Sequence, residues 1–491
     1  MIGKKTRAYT ILAAVGTVLV LVGCGSQLSQ AQLQAGAFGA VLADPGSLPG
    51  GVAGAGGGTG TGADVVGQGT TGDTGAPAGA DAGAGAGTTG GTGTVTGSGS
   101  GSGTSTGAGS GTSTGGTAGG GSTGGVANKA PITIGQIGEF SGIAGAAESP
   151  AQTGLQAWAK YVNARGGVSG HRINLVSLDD AGDAAKAKSM AQQLVEQHGA
   201  IAIVGAFVAI SFPGVQAYTQ SHGIPVIGGD LSDVGWHQNS LFFPQGTTQA
   251  SLNLGFAKTA ADAGKKNVAF FYCIELPACS SSYNALKNGG ADKQGIKLVY
   301  GAQVSVGTLN FQAQCTSAKN AGANAIYIIG DAGMTSRMLR DCRKVGLAKD
   351  TLYMAPGIAT SNSQQSDPNA EGLVGLTYDF PWVDSSSPAA REFQSAMSTY
   401  AHGAELNGSS AQAWVAGQLF AEAVAKIPPD QPVNSKTLTQ AMYKVSGTTV
   451  GGLAPKLVYV PGKPAPAINC YYSVQIRNGK WSSNGLKPRC V

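Results

Sequence analysis

One long segment of this 491-residue chain cannot form a core, and it confines folding to the rest. Residues 25–128 are mostly glycine, threonine, serine and alanine, with one aromatic residue, Phe38, and four charged ones, Asp44, Asp64, Asp73 and Asp81. Such a composition cannot bury enough apolar surface to offset the conformational entropy lost on folding. We therefore expect residues 24–130 to form a disordered tether with an r.m.s. span of roughly 50 to 60 Å.

The start of the chain has the features of an export signal. Basic residues at Lys4, Lys5 and Arg7 precede an apolar run over residues 11–22, and that run is shorter than the roughly 20 residues a membrane-spanning helix needs. The run ends in Leu21, Val22, Gly23 and Cys24, which resemble the lipobox of bacterial lipoproteins. This resemblance implies cleavage of residues 1–23 and lipidation of Cys24. The folded part would then be extracytoplasmic, held at the outer face of the bacterial cell membrane by the lipid anchor only.

Charge and cysteine usage exclude several functions. After the loss of Lys4, Lys5 and Arg7, 28 of the 31 basic residues remain against 26 acidic ones, a balance of +2 without a basic stripe for nucleic acid. Six cysteines remain besides Cys24, and an oxidising exterior favours disulfides. Short separations suggest the pairs Cys273 with Cys279, Cys315 with Cys342, and Cys470 with Cys490, although other pairings stay open. Metal-ligand spacing is absent from the sequence, so we expect no metal and no cofactor.

Short, continuously apolar runs recur through the folded part. Such runs are typical of parallel strands buried on both faces, and they cover residues 132–137, 173–178, 201–204, 224–227, 268–272 and 326–329. Patterns of helical spacing lie between them, for example Leu155, Trp158 and Val162, with Gly166 and Gly167 after them as a helix end. The alternation predicts an α/β fold with right-handed crossovers.

Two interruptions of this alternation indicate where the chain passes between lobes. The pattern pauses at residues 236–245 and breaks again at residues 372–382, and amphipathic helices are predicted over residues 410–425 and 435–445. We expect a first lobe from residues 131–248 and 378–450, and a second lobe from residues 249–377 and 451–491.

The tail of the chain has a different pattern. Residues 471–476 and 480–481 flank Asn478 and Gly479, a good hairpin signal, and residues 456–460 are also strand-like. We expect these segments to form a small antiparallel element that completes the second lobe.

A series of short motifs is also recognisable along residues 131–481. The most specific is Asn163, Gly166, Gly167 and Gly170 in an Asn-x-x-Gly-Gly-x-x-Gly arrangement; the others include Gly135-Gln136, Asp179-Asp180, Val204-Gly205, Ile224-Pro225, Leu339-Arg340 and Glu371-Gly372. In this order and spacing they resemble the type I periplasmic binding proteins of the branched-chain amino acid (leucine/isoleucine/valine) family, the receptors of ABC importers.

The resemblance implies a fold and a function. It implies two doubly wound parallel-sheet lobes joined by three crossovers, the periplasmic binding protein-like I fold, which close on a small-molecule solute. The expected function is that of a monomeric receptor delivering solute to ABC permease subunits. Residues 131–491 supply no constellation of nucleophile, base and oxyanion hole, so we expect no enzyme. A surface sensor or adhesin with the same fold stays open as an alternative, and a secreted hydrolase is the less favoured one.

Carried onto this sequence, the resemblance places ligand-binding residues on loops at the carboxyl ends of strands. They are Glu139, Ser141, Phe207, Val208, Asp230 and Ser232 in the first lobe, Tyr272, Glu275 and Asp331 in the second, and Trp382 at the returning crossover. Structural interpretations stay open for four of them: Asp230 and Asp331 also suit helix N-caps, Glu275 suits a solvated loop, and Trp382 suits hinge packing. Asp179 and Asp180 resemble a catalytic pair but are expected to be structural.

The sequence also departs from the family's pattern at two loops. Amino-acid binders place small hydroxyl residues after the glycine of the third strand, whereas here Gly205 is followed by Phe207, Val208, Ala209 and Ile210. A tyrosine-glycine pair expected in the second lobe is replaced by residues 273–279, which we expect to form a disulfide-closed loop lining the cleft. Both departures argue against an ordinary amino-acid ligand.

Overall fold

Two separate sheets form the centres of two lobes in residues 128–491, the part of the chain that the computed structural model describes. Cys24, the signal segment and almost all of the tether lie outside the described residues. Within residues 128–491, no helix is both long enough and apolar enough to cross a membrane.

The first sheet has five parallel strands in the order β2-β1-β3-β4-β5. Their bounds are β1 Lys129–Gly138, β2 His171–Asp179, β3 Ile203–Ala206, β4 Val226–Gly229 and β5 Phe242–Phe243. Every residue of β3, β4 and β5 is buried, as the unbroken apolar runs predict for strands covered on both faces. The reversal of strand order at β1 and β3 places the ends of these strands beside a crevice.

The second sheet contains the remaining strands and is mixed. Its main path runs β12-β11-β10-β9-β8-β6-β7, parallel from β10 to β7 and antiparallel at β11 and β12, and β13 also pairs with β11. The bounds are β6 Asn267–Cys273, β7 Lys297–Val304, β8 Ala325–Ile329, β9 Leu352–Pro356, β10 Val374–Thr377, β11 Cys470–Arg477, β12 Lys480–Ser483 and β13 Arg489–Cys490.

Helices cover both sheets. They are α1 Gly145–Asn163, α2 Ala184–Glu196, α3 Phe212–His222, α4 Gln249–Asp262, α5 Pro277–Ala285, α6 Gln312–Asn320, α7 Ala332–Lys344, α8 Pro388–Tyr400, α9 Gly408–Val424 and α10 Ser435–Lys444. Short helical turns lie at Leu286–Gly290, Ala291–Lys293, Val234–His237, Gly357–Ala359, Asn362–Ser366, Pro368–Ala370 and Val450–Gly452. Several helices begin at a polar side chain that accepts from the first-turn N–H groups, namely Asp183, Thr248, Asp331, Ser387, Asn407 and Asn434.

Helices α1 and α9 pack closely in the first lobe, and small residues permit this. A Cβ atom on Gly154 would collide with the Ser410 backbone, and one on Gly417 would collide with the Trp158 ring. The Trp158 ring is fully buried and meets Phe420 edge-on, with 6.1 Å between ring centroids. This packing fixes the position of α1, whose first turn faces the second lobe.

Three crossovers join the lobes and are hydrogen-bonded to one another. The N–H of Thr247 donates to the Tyr378 carbonyl at 2.9 Å, and the Tyr459 hydroxyl donates to the Pro244 carbonyl at 2.8 Å. The Thr247 hydroxyl donates to the Ile468 carbonyl at 2.5 Å. The three connections therefore form one bundle at a side of the cleft.

The tail differs from the expectation in one segment. Residues 471–476 and 480–481 form a hairpin, as predicted, but residues 456–460 form no strand. Leu457 and Tyr459 are buried against the first lobe, and Leu457 exchanges backbone hydrogen bonds with Gly447 and Thr448 after α10. The buried side chains of Leu457 and Tyr459 hold the segment on the first lobe. The chain therefore joins the second sheet only at Cys470.

The three predicted disulfides are present. Cys273 bonds to Cys279, Cys315 to Cys342 and Cys470 to Cys490. The second of them joins α6 to α7, and the third closes the β11–β13 pair. All three lie in the second lobe.

Candidate functional site

A cleft lies between the two lobes at the carboxyl ends of their central strands. The first lobe contributes the start of α1 and the loops after β3 and β4. The second lobe contributes the loops after β6, β7, β8 and β9, together with the start of α4. Ligands of open α/β sheets bind at this edge.

Asp230 and Ser232 line this cleft, as the sequence analysis placed them. The Asp230 carboxylate accepts from the Ser232 N–H at 2.9 Å and from the Ser232 hydroxyl at 2.8 Å. The N-cap of the next helical turn is Asp233, so Asp230 caps no helix. Burial raises the pKa of Asp230, and the hydrogen bonds from Ser232 oppose that increase.

Asp331 also lines the cleft, from the opposite lobe. Its carboxylate accepts from the Met334 N–H at 2.6 Å and so caps α7. The N-cap interpretation of Asp331 is therefore confirmed, and ligand binding by the same residue, which also borders the cleft, stays a prediction.

Glu148 lines the cleft and was not anticipated from the sequence. It lies in the first turn of α1, is only 2% exposed, and its Oε2 atom has no hydrogen-bond partner among the described residues. Burial raises its pKa well above the ordinary range, and the nearby Asp230 and Glu139 carboxyls add to the increase. One signal was available: Glu148 is the only charged residue between Glu139 and Lys160. An acidic residue in a first helical turn has an ordinary explanation in the helix dipole.

The second lobe presents a polar cluster and a disulfide-closed loop. The Tyr378 hydroxyl donates to Gln249 Oε1, and the Gln249 amide donates to Asn253 Oδ1 at 3.0 Å and to Ser282 Oγ at 3.2 Å. Leu276, Ala278 and Cys279 line the cleft beside them, so the disulfide-closed 273–279 loop borders the cleft, as expected from the sequence. Tyr378 and Gln249 were not anticipated from the sequence; Gln249 is the first residue of α4 and Tyr378 directly follows β10, both next to the crossovers.

Glu139 and Ser141 do not line the cleft. Glu139 is fully buried, and its Oε1 accepts from the N–H groups of Ile210 at 2.5 Å and Ser211 at 3.0 Å, before α3. Ser141 is exposed, and its N–H donates to Asp179 Oδ1 at 3.2 Å. Both residues are thus engaged in holding loops rather than facing the ligand space.

Asp179 and Asp180 are structural, as expected. Asp179 Oδ1 accepts from the N–H groups of Phe140, Ser141 and Ala181. Asp180 accepts from the Gly182 N–H at 2.7 Å and the Ser211 hydroxyl at 2.8 Å. These bonds tie the loops after β1, β2 and β3 together.

The expectation that Phe207 and Val208 face the cleft is wrong. Phe207 is fully buried and Val208 is 1% exposed, and both belong to the hydrophobic core. The reason is that Phe207 continues the strand: its N–H donates to the Ile137 carbonyl, and its carbonyl accepts from the Glu139 N–H, each at 2.9 Å. Its ring therefore packs into the hydrophobic core. Ala209 lines the cleft instead.

Three residues predicted in the second lobe and crossover do not line the cleft. Tyr272 stacks on Tyr283 with 4.7 Å between ring centroids. Glu275 Oε1 accepts from the Ser305 hydroxyl at 2.7 Å and from the Val306 N–H at 2.9 Å, which positions Val306 in the lining.

Trp382 is the third of these residues. It is 1% exposed and packs edge-on against Trp481 at a centroid distance of 5.4 Å. The alternative of hinge packing fits Trp382, because its ring packs against Trp481 of the second lobe's tail.

The fold and the cleft define a two-lobed protein of the binding-protein type. A family model described as "Periplasmic binding protein" matches residues 131–480, and the chain belongs to this family of binding proteins, which are not enzymes. Over 231 residues the chain is 27% identical to an amino acid binding protein of Pseudomonas aeruginosa, covering 44% of this chain and 59% of that protein. The chain thus spans about three fifths of the length of the curated relatives it matches.

Solved structures share the fold. A branched-chain amino acid ABC transporter protein from Thermus thermophilus with bound valine superposes with a TM-score of 0.65 at 16% identity, over 75% of this chain and 97% of that one. A solute-binding protein from R. palustris in complex with benzoate superposes with a TM-score of 0.60 at 17% identity, over 74% and 97%. At this identity the likeness establishes the type I periplasmic binding protein fold that the sequence analysis predicted.

Proposed function

We propose that this chain is the solute-binding receptor of an ABC importer, anchored through Cys24 to the outer face of the cell membrane and acting as a monomer. The cleft is the observation that best supports this proposal. Both lobes line it, buried polar side chains border it, and three crossovers connect the lobes at one side. A solute held by both lobes favours the closed arrangement, and a permease can recognise that arrangement.

The tether and the anchor suit this function. Residues 21–24 support lipidation, and the Gly/Thr/Ser-rich segment before residue 131 would let the lobes search for the permease while staying near the membrane. Tethering raises the local concentration of the receptor at its permease.

Thermal stabilisation by a solute library tests the function. A solute that binds only the folded protein stabilises it by RT ln(1 + [L]/Kd), about 2.7 kcal/mol at a hundredfold excess over Kd. We expect at least one small organic solute to raise the melting temperature in a saturable way and to be recovered unchanged. Recovery of a reaction product would contradict the receptor function, and so would stabilisation by a cell-surface protein when no solute has any effect.

A further inference from the structure

The charged groups that line the cleft are all acidic. Glu148 and Asp230 come from the first lobe and Asp331 from the second, and among the described residues no lysine, arginine or histidine lines the cleft. Most of the other lining side chains are apolar, including Leu276, Val306 and Ile329. The electrostatic potential of such a site favours a cation and repels an anion.

Glu148 is the group whose hydrogen bonding is incomplete. It is 2% exposed, its Oε2 atom accepts from no N–H or hydroxyl group in the described part of the chain, and the side chain within hydrogen-bonding reach of it is the Asp230 carboxyl. Asp230 is different, because Ser232 already donates to both of its carboxylate oxygens. Leaving a buried carboxyl without a hydrogen-bond donor is unfavourable. Because Glu148 borders the ligand space, a bound ligand can supply that donor.

Burial and proximity also determine the charge of this pair. Burial raises the pKa values of both Glu148 and Asp230, and the two carboxyls lie close enough to affect each other. Like charges at short distance oppose each other's ionisation, so a positive charge on the ligand beside this pair would stabilise the ionised carboxylates.

Two backbone positions that could hold a ligand carboxylate are already occupied. Backbone N–H groups before a helix suit an anion, but those of Ile210 and Ser211, before α3, donate to Glu139. The Met334 N–H, in the first turn of α7, donates to Asp331. A carboxylate of the protein itself thus takes one anion position on each side of the cleft.

We infer that the solute is a small organic monocation without a carboxylate, with its ammonium group at Glu148 and Asp230 and its apolar body against Leu276, Val306 and Ile329. This inference rests on the proposed receptor function and names its substrate class. An amine of this kind supplies the donor that Glu148 lacks.

Three matched probes test the inference by isothermal titration calorimetry on the full chain. They are 3-methylbutylamine, leucine and 4-methylpentanoate, which share a branched apolar body and differ in charge; the set of 2-phenylethylamine, phenylalanine and 3-phenylpropionate does the same for a larger body. We expect an amine to bind at least tenfold more tightly than its zwitterionic and anionic counterparts. We expect Glu148→Gln and Asp230→Asn each to weaken amine binding at least tenfold, and Glu392→Gln, an exposed position on α8 outside the cleft, to leave it unchanged.

The outcomes separate the two proposals. Tighter binding of an amino acid or a carboxylate, or amine binding that both cleft variants leave intact, overturns the ligand class while the receptor function stands. If the amines fail to bind and the solute library yields only neutral or anionic ligands, the ligand class is again overturned. If no solute in the library binds at all, the receptor function itself fails. Circular dichroism melting shows whether each variant folds. If one cleft variant does not fold, amine binding by the other cleft variant tests the inference.

Discussion

Replacing Trp158 by alanine is expected to lower the free energy of unfolding by about 3 to 5 kcal/mol, the usual cost of removing a large buried aromatic side chain. The ring is fully buried between α1 and α9, lies edge-on to Phe420, and contacts the backbone position of Gly417. The two helices meet at a glycine on each side, so the space left by the ring cannot be filled without moving the backbone. Urea unfolding followed by far-UV circular dichroism measures the loss.

Two companion variants make this prediction specific. Trp158→Phe keeps an aromatic ring in the same place and should cost clearly less than the alanine variant. Because α1 carries Glu148 in its first turn, Trp158→Ala should also weaken solute binding, although the side chain does not line the cleft. A destabilisation below about 1 kcal/mol, typical of surface substitutions rather than of core ones, would show that the packing of α1 on α9 is not what stabilises the first lobe.

The second large effect is a dependence of stability on pH that originates at Glu139. Burial raises the pKa of Glu139 from its ordinary value of 4.5 to about 7, with the Asp180 and Asp230 carboxyls adding to the increase and the N–H groups of Ile210 and Ser211 opposing it. The folded protein thus keeps a proton that the unfolded chain releases above pH 4.5. The stabilisation that protonated Glu139 gives to the folded state is fully present below pH 4.5. It is lost as the pH rises towards 7 and changes no further above pH 7. The loss is about 3 kcal/mol, since one pKa unit corresponds to about 1.36 kcal/mol.

Glu139→Gln isolates this contribution. Glutamine can accept the same two backbone hydrogen bonds through its amide oxygen but does not titrate. We expect the stability of the parent relative to this variant to fall by about 3 kcal/mol between pH 4.5 and pH 7.5 in urea unfolding. Glu392→Gln, at an exposed position, should follow the parent at every pH. Identical pH profiles for the parent and Glu139→Gln would contradict the raised pKa.

Most of the fold could be predicted because the central strands are short, unbroken apolar runs. The six runs identified in the sequence all lie at strands of the two sheets. Strand β7 was missed because most of its residues are exposed or half-buried, and β10 because Gly375 and Thr377 interrupt its apolar pattern. Residues 456–460 have a strand-like sequence but are drawn onto the first lobe by Leu457 and Tyr459. Local sequence cannot reveal such a tertiary partner.

The candidate site was harder to predict than the fold. Asp230, Ser232 and Asp331 could be located because each follows a buried strand closely. Phe207 could not, because one extra residue of strand pairing turns its ring from the cleft into the core. Glu148 was overlooked because an acidic residue at a helix start has a common structural explanation, and only its burial beside a second carboxyl distinguishes it.

A solute that binds between the lobes is expected to contact both of them. Hydrogen–deuterium exchange with mass spectrometry tests this most directly, using the solute that gives the largest thermal stabilisation. We predict slower exchange at residues 143–148 and 230–232 in the first lobe together with residues 276–282 and 329–335 in the second, while residues 424–433 at the back of the first lobe keep their rates. Protection confined to one lobe, or found only away from these segments, would contradict the account.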